Sequence, residues 1–272
     1  MKKRLLALLL LLLLLPGCGE GESEEVSTLE ILFFDVGKAD ACLLRTAESA
    51  VLIDCATNKE GERLAAWLQE NGVAKLDALF ITHFDKDHVG GADKVLESVE
   101  VAAVYEPAYS ADSKQLRQYR EALSASGTKV RTLHKNAALS LDGVDYIIDV
   151  ANEVWYGEDE ENDFSLVISV RHGKNRFLFA GDAERPRLQE LLEEGNLAHE
   201  LLKVPHHGRG EKNSALFFAA VAPRYAVITS SAEEPEEGEV VTALEGLGAE
   251  IFLTREGMVR CISDGENIEI TQ

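Results

Sequence analysis

Positive charge is what this sequence has least of. Its 272 residues carry 27 Lys and Arg against 48 Asp and Glu, a formal charge of −21. Capture of nucleic acid needs Lys and Arg clustered toward phosphates, and adsorption to anionic lipid needs the same, so neither is the default activity. Cysteine is scarce as well. There are 4 in the chain, and no Cys-x-x-Cys pair suggests a structural zinc. Cys42 and Cys55 sit in strand-like contexts and read as small buried hydrophobes, with a disulfide between them the alternative. The Gly-x-Ser-x-Gly elbow is missing, and no Ser–His–Asp or Cys–His arrangement stands in for it. Long apolar runs are missing too. Leu5 to Leu15 is the longest, and at about 1.5 Å per residue it covers roughly half of a bilayer core. What remains, 46% hydrophobic and 28% charged, is an ordinary globular composition with ample length for a buried core.

The apolar run follows the basic Met1-Lys2-Lys3-Arg4 and ends in Leu15-Pro16-Gly17-Cys18, which resembles the lipobox of bacterial lipoproteins. Residues 1–17 are therefore expected to be a signal peptide, and Cys18 to carry a lipid on the outer face of the cytoplasmic membrane. Plain secretion is the alternative. Residues 18–28, rich in Gly, Glu and Ser, read as a solvated tether. Residues 29–272 show no linker and read as one domain.

Within that domain, short apolar strands alternate with helical segments. Leu29–Phe34, Ala41–Arg45, Val51–Ile53 and Leu76–Thr82 read as strands. Glu62–Glu70, Val89–Ser98 and Ser113–Ser126 read as helices, the last closed by Gly127. The second half repeats the pattern from Asp145 to Thr271. Runs of strands with helices scattered between them predict an α/β fold of two sheets with helices outside.

The chemistry concentrates in Thr82-His83-Phe84-Asp85-Lys86-Asp87-His88, between a predicted strand and a predicted helix. His83, Asp85, Asp87 and His88 are all metal-ligand types, and imidazoles with carboxylates suit borderline and hard divalent cations. Such a loop can serve two adjacent ions. Gly90-Gly91 then lets the backbone pass close to the site. A helix N-cap is the plainer explanation, but capping needs one such residue and not four.

The motif H-x-D-x-D-H resembles the H-x-H-x-D-H signature of the metallo-β-lactamase superfamily, with Asp85 in place of the middle His. That variant is similar to the hydrolase domain of ComEC-type DNA-uptake (competence) proteins and their stand-alone relatives. Other segments resemble the same family in order: Phe34-Asp35-Val36-Gly37-Lys38-Ala39-Asp40-Ala41, Val51-Leu52-Ile53-Asp54, Asn162-Asp163-Phe164-Ser165-Leu166, Leu178-Phe179-Ala180-Gly181-Asp182 and Leu202-Lys203-Val204-Pro205-His206-His207-Gly208. The resemblance implies a single-domain αββα sandwich with two divalent metal ions, zinc or manganese, at one edge of the sheets. Carried over by position, one ion would take His83, Asp85 and a bridging Asp182. The other would take Asp87, His88, Asp182 and His206. Many members complete the first site with a further His; here Asn162 stands in that region, so that site should be oxygen-rich. Asp35 and Asp54 would brace the His83–His88 loop, and Asp40 shares with them a plainer reading as a turn former. Ser165 and Asn162 would lie beside the ligands.

His206 and His207 are adjacent, so strand alternation sends their rings apart; His206 is preferred as ligand and His207 as a supporting or substrate contact. His134, His172 and His199 lack ligand spacing. Catalysis would rest on Asp87 and Asp182 and a water activated between two ions. The resemblance implies phosphodiester hydrolysis outside the cytoplasmic membrane, with DNA as one candidate substrate and no protein partner predicted. Hydrolysis of another small ester, lactone or lactam, or non-catalytic binding of nucleic acid or cell-wall phosphate, are the alternatives. Three departures bear on the choice: the uptake proteins' channel-forming segments are absent from this sequence, Arg209 replaces a common Ser, and Glu158–Glu161 would repel a polyanion. Lys203, Arg209 and Lys212 could hold one phosphate group, but they make too small a patch for a long duplex.

Overall fold

The computed structural model describes residues 27–157 and 161–272. The expected signal segment, the Cys18 lipid site, nearly all of the tether and Glu158-Asp159-Glu160 lie outside these residues.

Period-two alternation in the strands gives each sheet two apolar faces, and the chain buries both. In Leu29–Phe33, residues Leu29, Ile31 and Phe33 face one cluster while Leu32 faces another. The same split recurs in Cys42–Arg45, Ala50–Ile53, Ala78–Phe80 and Ala103–Pro107. With Lys129–Leu133, Val259–Ser263 and Ile268–Thr271 these make an 8-stranded mixed sheet. A 7-stranded sheet carries Glu250–Leu253, Tyr225–Ile228, Leu201–Lys203, Asn175–Phe179, Val167–His172, Val144–Asp149 and Ala137–Leu141 in that spatial order. Between the sheets Phe33 stacks on Phe179 at 5.8 Å and Phe80 leans on Tyr146 at 6.1 Å.

Helices cover both outer faces. Helix α1 (Asn58–Glu70), α2 (Ala92–Ser98) and α3 (Lys114–Ser126) bury Leu64, Leu68, Val95 and Tyr119 against the first sheet. Helix α4 (Arg185–Glu194), α5 (Ser214–Val221) and α6 (Gly238–Gly246) bury Leu188, Phe217 and Leu244 against the second. Thr57 caps α1 by accepting from the Glu60 amide, and Gly127 ends α3 in the left-handed region at φ 67°. This is the expected αββα sandwich. The strand Ala137–Leu141 went unrecognised because it lies at a sheet edge and is only half-buried on its inward side. Cys42, Cys55 and Cys261 are buried and unpaired, which settles the disulfide alternative against a bond.

The close approach expected at Gly90-Gly91 is real. A Cβ on Gly91 would fall 2.2 Å from the Cys55 carbonyl oxygen and 2.6 Å from Gly61 Cα, both backbone atoms. Gly91→Ala must therefore push α2 away from α1. The expected cost is about 2–3 kcal/mol, read as a lower urea midpoint at unchanged slope. An unchanged midpoint would show that α1 and α2 separate freely.

Candidate metal centre

The functional side chains gather where parallel strands of both sheets end. Asp54 follows Ala50–Ile53, His83 follows Ala78–Phe80, Asp182 follows Asn175–Phe179, and Thr229 follows Tyr225–Ile228. Each buried run thus delivers one polar side chain to the same edge, the carboxyl end where open α/β sheets place their ligands.

Three histidines converge there with defined orientation. His88 Nδ1 donates to Asp54 Oδ2 at 2.9 Å. His207 Nδ1 donates to the Thr229 carbonyl at 3.0 Å. Thr82 spends its hydroxyl proton on Asp54 Oδ2 at 2.7 Å, so its oxygen can only accept, and His83 Nδ1 lies 3.1 Å from it. All three rings therefore commit Nδ1 to these partners and turn Nε2 inward. Those three Nε2 atoms and Asp182 Oδ1 are buried without a hydrogen-bond partner. Buried unpaired nitrogens are costly, and several in one place mark a site built for something else.

Asp182 lies among them. Its Oδ2 is 3.2 Å from His88 Nε2 and 3.1 Å from His207 Nε2. Asp87 Oδ2 lies 3.5 Å from His207 Nε2, and Asp85 Oδ2 lies 4.0 Å from His83 Nε2. Ligand-sized clusters here are His83–His88–Asp182, Asp87–His88–His207 and Asp40–Asp54–His88, the last made of groups that already bond to one another or to Thr82, Thr229 and Lys203. Imidazole nitrogens with carboxylates fit divalent cations, so the residues present suit the metals the fold implies.

The electrostatics show what the cations would replace. Burial opposes charge on His88, yet Asp182 and Asp54 hold its pKa well above the usual range. His207 is likewise raised against burial to about 9 by Asp182, Asp40 and Asp87. Burial would raise Asp182, but His207 and His88 hold it well below the usual carboxylate range. Asp87 is depressed against burial by His207 and His88. His83 is pushed well down by burial, with His88 adding to the effect. Two imidazolium protons thus balance carboxylates that metal ions would otherwise bind.

Three expectations need correction. His207, and not His206, turns its Nε2 toward Asp182 and Asp87. Pro205–Gly208 is a turn and not a strand, with His206 at φ 48° and His207 at φ 52°, so period-two alternation does not apply. His206 turns instead toward Glu184, whose Oε1 is 3.1 Å from its Nδ1. Lys203 is not a surface contact for phosphate. It is 1% exposed and behind the centre, bonded to Asp40 and to the Gly181 carbonyl at 3.1 Å. Only Arg209 and Lys212 of that basic group are exposed. Asp35 braces nothing in the loop: it is exposed at a strand end, and its carbonyl accepts from Arg63.

The bracing role falls to Asp40, Asp54 and Ser165. Asp40 Oδ1 accepts from Thr229 at 2.6 Å, and its amide donates to the Asp87 carbonyl at 3.1 Å. Ser165 Oγ accepts from the Asp182 amide at 3.1 Å and lies 3.4 Å from His83 Nδ1. Asn162 Nδ2 donates to Glu184 Oε1 at 2.9 Å. Thr82, Thr229 and Glu184 were not anticipated. A polar residue directly after a buried strand was the available signal for the two threonines.

Because Asp54 fixes His88 and Thr82 together, Asp54→Asn should weaken metal binding about 10–100-fold, the usual effect of losing a partner that orients a ligand. Competition against a metal-buffering dye measures it. Unaltered affinity would mean that His88 needs no orientation.

An αββα sandwich with histidines and carboxylates clustered at its strand ends defines a class, the metallo-β-lactamase-like fold with a candidate divalent-metal centre. Residues 35–246 match the Metallo-beta-lactamase superfamily, and the chain belongs to that family. Among curated proteins it is 28% identical over 205 residues to Competence protein ComA of Neisseria gonorrhoeae, covering 74% of this chain and 27% of that protein. It is 28% identical over 214 residues to Recombination protein 2 of Haemophilus influenzae, covering 76% and 25%. ComE operon protein 3 of Bacillus subtilis is 26% identical over 172 residues, covering 62% and 22%. The chain therefore spans about a quarter of the length of these relatives. Among solved structures, the metallo-beta-lactamase fold protein YhfI of Bacillus subtilis superposes with TM-score 0.56 at 11% identity, covering 90% of this chain and 100% of that one. CmlA, a diiron beta-hydroxylase from Streptomyces venezuelae, superposes with TM-score 0.52 at 13% identity, covering 84% and 52%. These likenesses show the fold. That one neighbour is a hydroxylase means the reaction must be argued from the site.

Proposed function

We propose that this chain is a metal-dependent phosphodiesterase of ComEC type, acting outside the cytoplasmic membrane and anchored there through a lipid on Cys18. The observation that carries the hydrolytic part is the convergence of three buried Nε2 atoms without hydrogen-bond partners on Asp87 and Asp182. His83, Asp85 and Asp182 would hold one ion; Asp87, His88, Asp182 and His207 would hold the other. The first set is oxygen-rich, which suits manganese as well as zinc. When bound, such ions acidify water and neutralise charge growing on the attacked centre.

The chain's own residues supply the rest. Asp54, Thr82 and Thr229 lock the imidazoles in one tautomer, so no ring must turn during reaction. Asp87, at the partly exposed rim, is placed to orient an attacking water or to accept its proton. The competence and recombination relatives favour a phosphodiester, and the net charge favours a short or single-stranded one over a long duplex.

The test is turnover of bis-(p-nitrophenyl) phosphate, single-stranded DNA and a chromogenic lactam, with manganese and zinc side by side. Phosphodiester turnover that Asp87→Ala removes is expected. Lactam turnover alone would replace the reading with the acyl alternative. No turnover on any substrate, with Asp87→Ala matching the wild type, would leave a binding protein.

A further inference from the structure

Beside the dinuclear centre lies a second set of ligand-type side chains that shares no member with it: Glu184, His206 and Glu211, whose donor atoms all come within 4.8 Å of one another. We propose that they form a third divalent-cation site, separate from the two-ion centre.

His206 carries the argument. Only 7% of it is exposed, and its buried Nδ1 makes no hydrogen bond. That nitrogen is 3.1 Å from Glu184 Oε1 but out of line for donation. Donors that share one cation at about 2.0–2.5 Å stand roughly 3 Å from each other without pointing at each other, which is the arrangement seen. The backbone spends an unusual conformation on it: His206 adopts φ 48°, ψ 47°, outside the region most side chains favour. Asn162 steadies Glu184 by donating to its Oε1 at 2.9 Å. Glu211 belongs to the loop before α5, an element separate from the one that carries Glu184, and its carboxylate lies within 4.8 Å of the other two donors. Like-charged carboxylates brought together by separate elements favour a cation between them.

Access is open. Glu184 and Glu211 line a cavity of about 730 Å³ that also presents Arg185, Gln189 and Lys212. Two carboxylates and one imidazole make an oxygen-rich donor set suited to manganese or magnesium more than to a thiophilic ion. A cation here would give an acidic surface a positive point, flanked by Arg185 and Lys212, at which an oxyanion-bearing ligand could be held. That use rests on the phosphodiester reading above; the site itself does not.

Equilibrium dialysis of the full chain against manganese, with manganese per chain counted by mass spectrometry, tests it without any activity. Three equivalents are expected for the wild type and two for Glu211→Gln. Glu184→Gln repeats the loss from a different element, and far-ultraviolet circular dichroism checks that both variants fold. Asp182→Asn, which disables the neighbouring centre, should keep one equivalent that the added Glu211→Gln removes. A wild type saturating at two overturns the proposal. So does a Glu211→Gln chain that binds as many ions as the wild type, or an ion lost from the dinuclear centre instead. Phosphodiester turnover failing while the third equivalent persists would remove the function proposed above and leave this site standing.

Discussion

Asp182→Asn is expected to lose both ions of the dinuclear centre, with affinity falling by more than about 100-fold. That figure is the upper end for removing a mere orienting partner, and Asp182 is in the centre itself. Its carboxylate lies within 3.2 Å of two imidazoles, and the buried carboxylates beside it are already committed, Asp54 to His88 and Thr82 and Asp40 to Lys203 and Thr229. Metal content after dialysis measures the effect, and uptake within tenfold of the wild type would remove Asp182 from the ligand set. Asparagine keeps the shape, so the difference isolates charge. Calorimetry in buffers of different ionisation enthalpy adds a second reading. Wild-type loading near neutral pH should release protons from His88 and His207, whose pKa values stand above the usual histidine range, and Asp182→Asn should release fewer.

The same shifts set how the metal-free protein responds to pH. His88 and His207 are raised in the folded state. Their stabilisation is complete below the ordinary histidine range and is lost as pH rises, for His207 through about 9. Asp182 and Asp87 are depressed, so their stabilisation is present above the ordinary carboxylate range and fades only in strong acid. His83, pushed well down by burial, acts in the opposite sense and costs stability as pH falls through the ordinary histidine range. Metal-free protein should therefore lose stability on both sides of neutrality, and bound cations would remove the alkaline limb by displacing the protons that create it.

How far the sequence alone could be read follows from how far apart the cooperating residues lie. His83, Asp85, Asp87 and His88 are legible because they fall on one short loop whose ligand content exceeds any capping need. The alternating strands expose the two-sheet core for the same reason: both patterns are local. Partners joined across the fold are not. Asp40 and Thr229 are 189 residues apart in sequence, and Asp54 and Thr82 are 28 apart, yet each pair sets one imidazole. Nothing in the spacing of a single chain announces such contacts. The His206–His207 pair shows a different limit. Two adjacent histidines after a strand invite the alternation rule, and the rule fails because a left-handed turn replaces the strand at that step. Lys203 shows a third. A lysine near phosphate-type chemistry reads as a substrate contact until burial shows that its charge is already committed.

That commitment gives the largest stability prediction. Lys203 is buried with Asp40 and lies 3.6 Å from Asp182 Oδ1. Burial alone would lower its pKa, but Asp40 and Asp182 overcome this and raise it. A lysine raised above its ordinary value contributes stability that is complete below that value and is lost only at strongly alkaline pH, so its share is constant across the neutral range. Lys203→Met removes the ammonium and leaves Asp40 buried with Thr229 and His207 as its remaining polar company. Breaking one side of a buried pair in this way typically costs about 3–5 kcal/mol, and the loss here should fall at the low end because the His207 imidazolium still faces Asp40. Urea unfolding of the metal-free protein at neutral pH reads that loss directly. Adding Asp40→Asn should recover much of it, since the stranded charge is then gone and the backbone bond from residue 40 to the Asp87 carbonyl is kept, although Asn does not restore the Thr229 contact in full. A loss below about 1 kcal/mol, the size expected of an exposed ion pair, would mean that water reaches Asp40 and that the ammonium is not what holds it. The double variant matters more than the single one. If it folds as stably as the wild type but still binds metal weakly, the buried pair exists to set the field on Asp182 and not to hold the sandwich together.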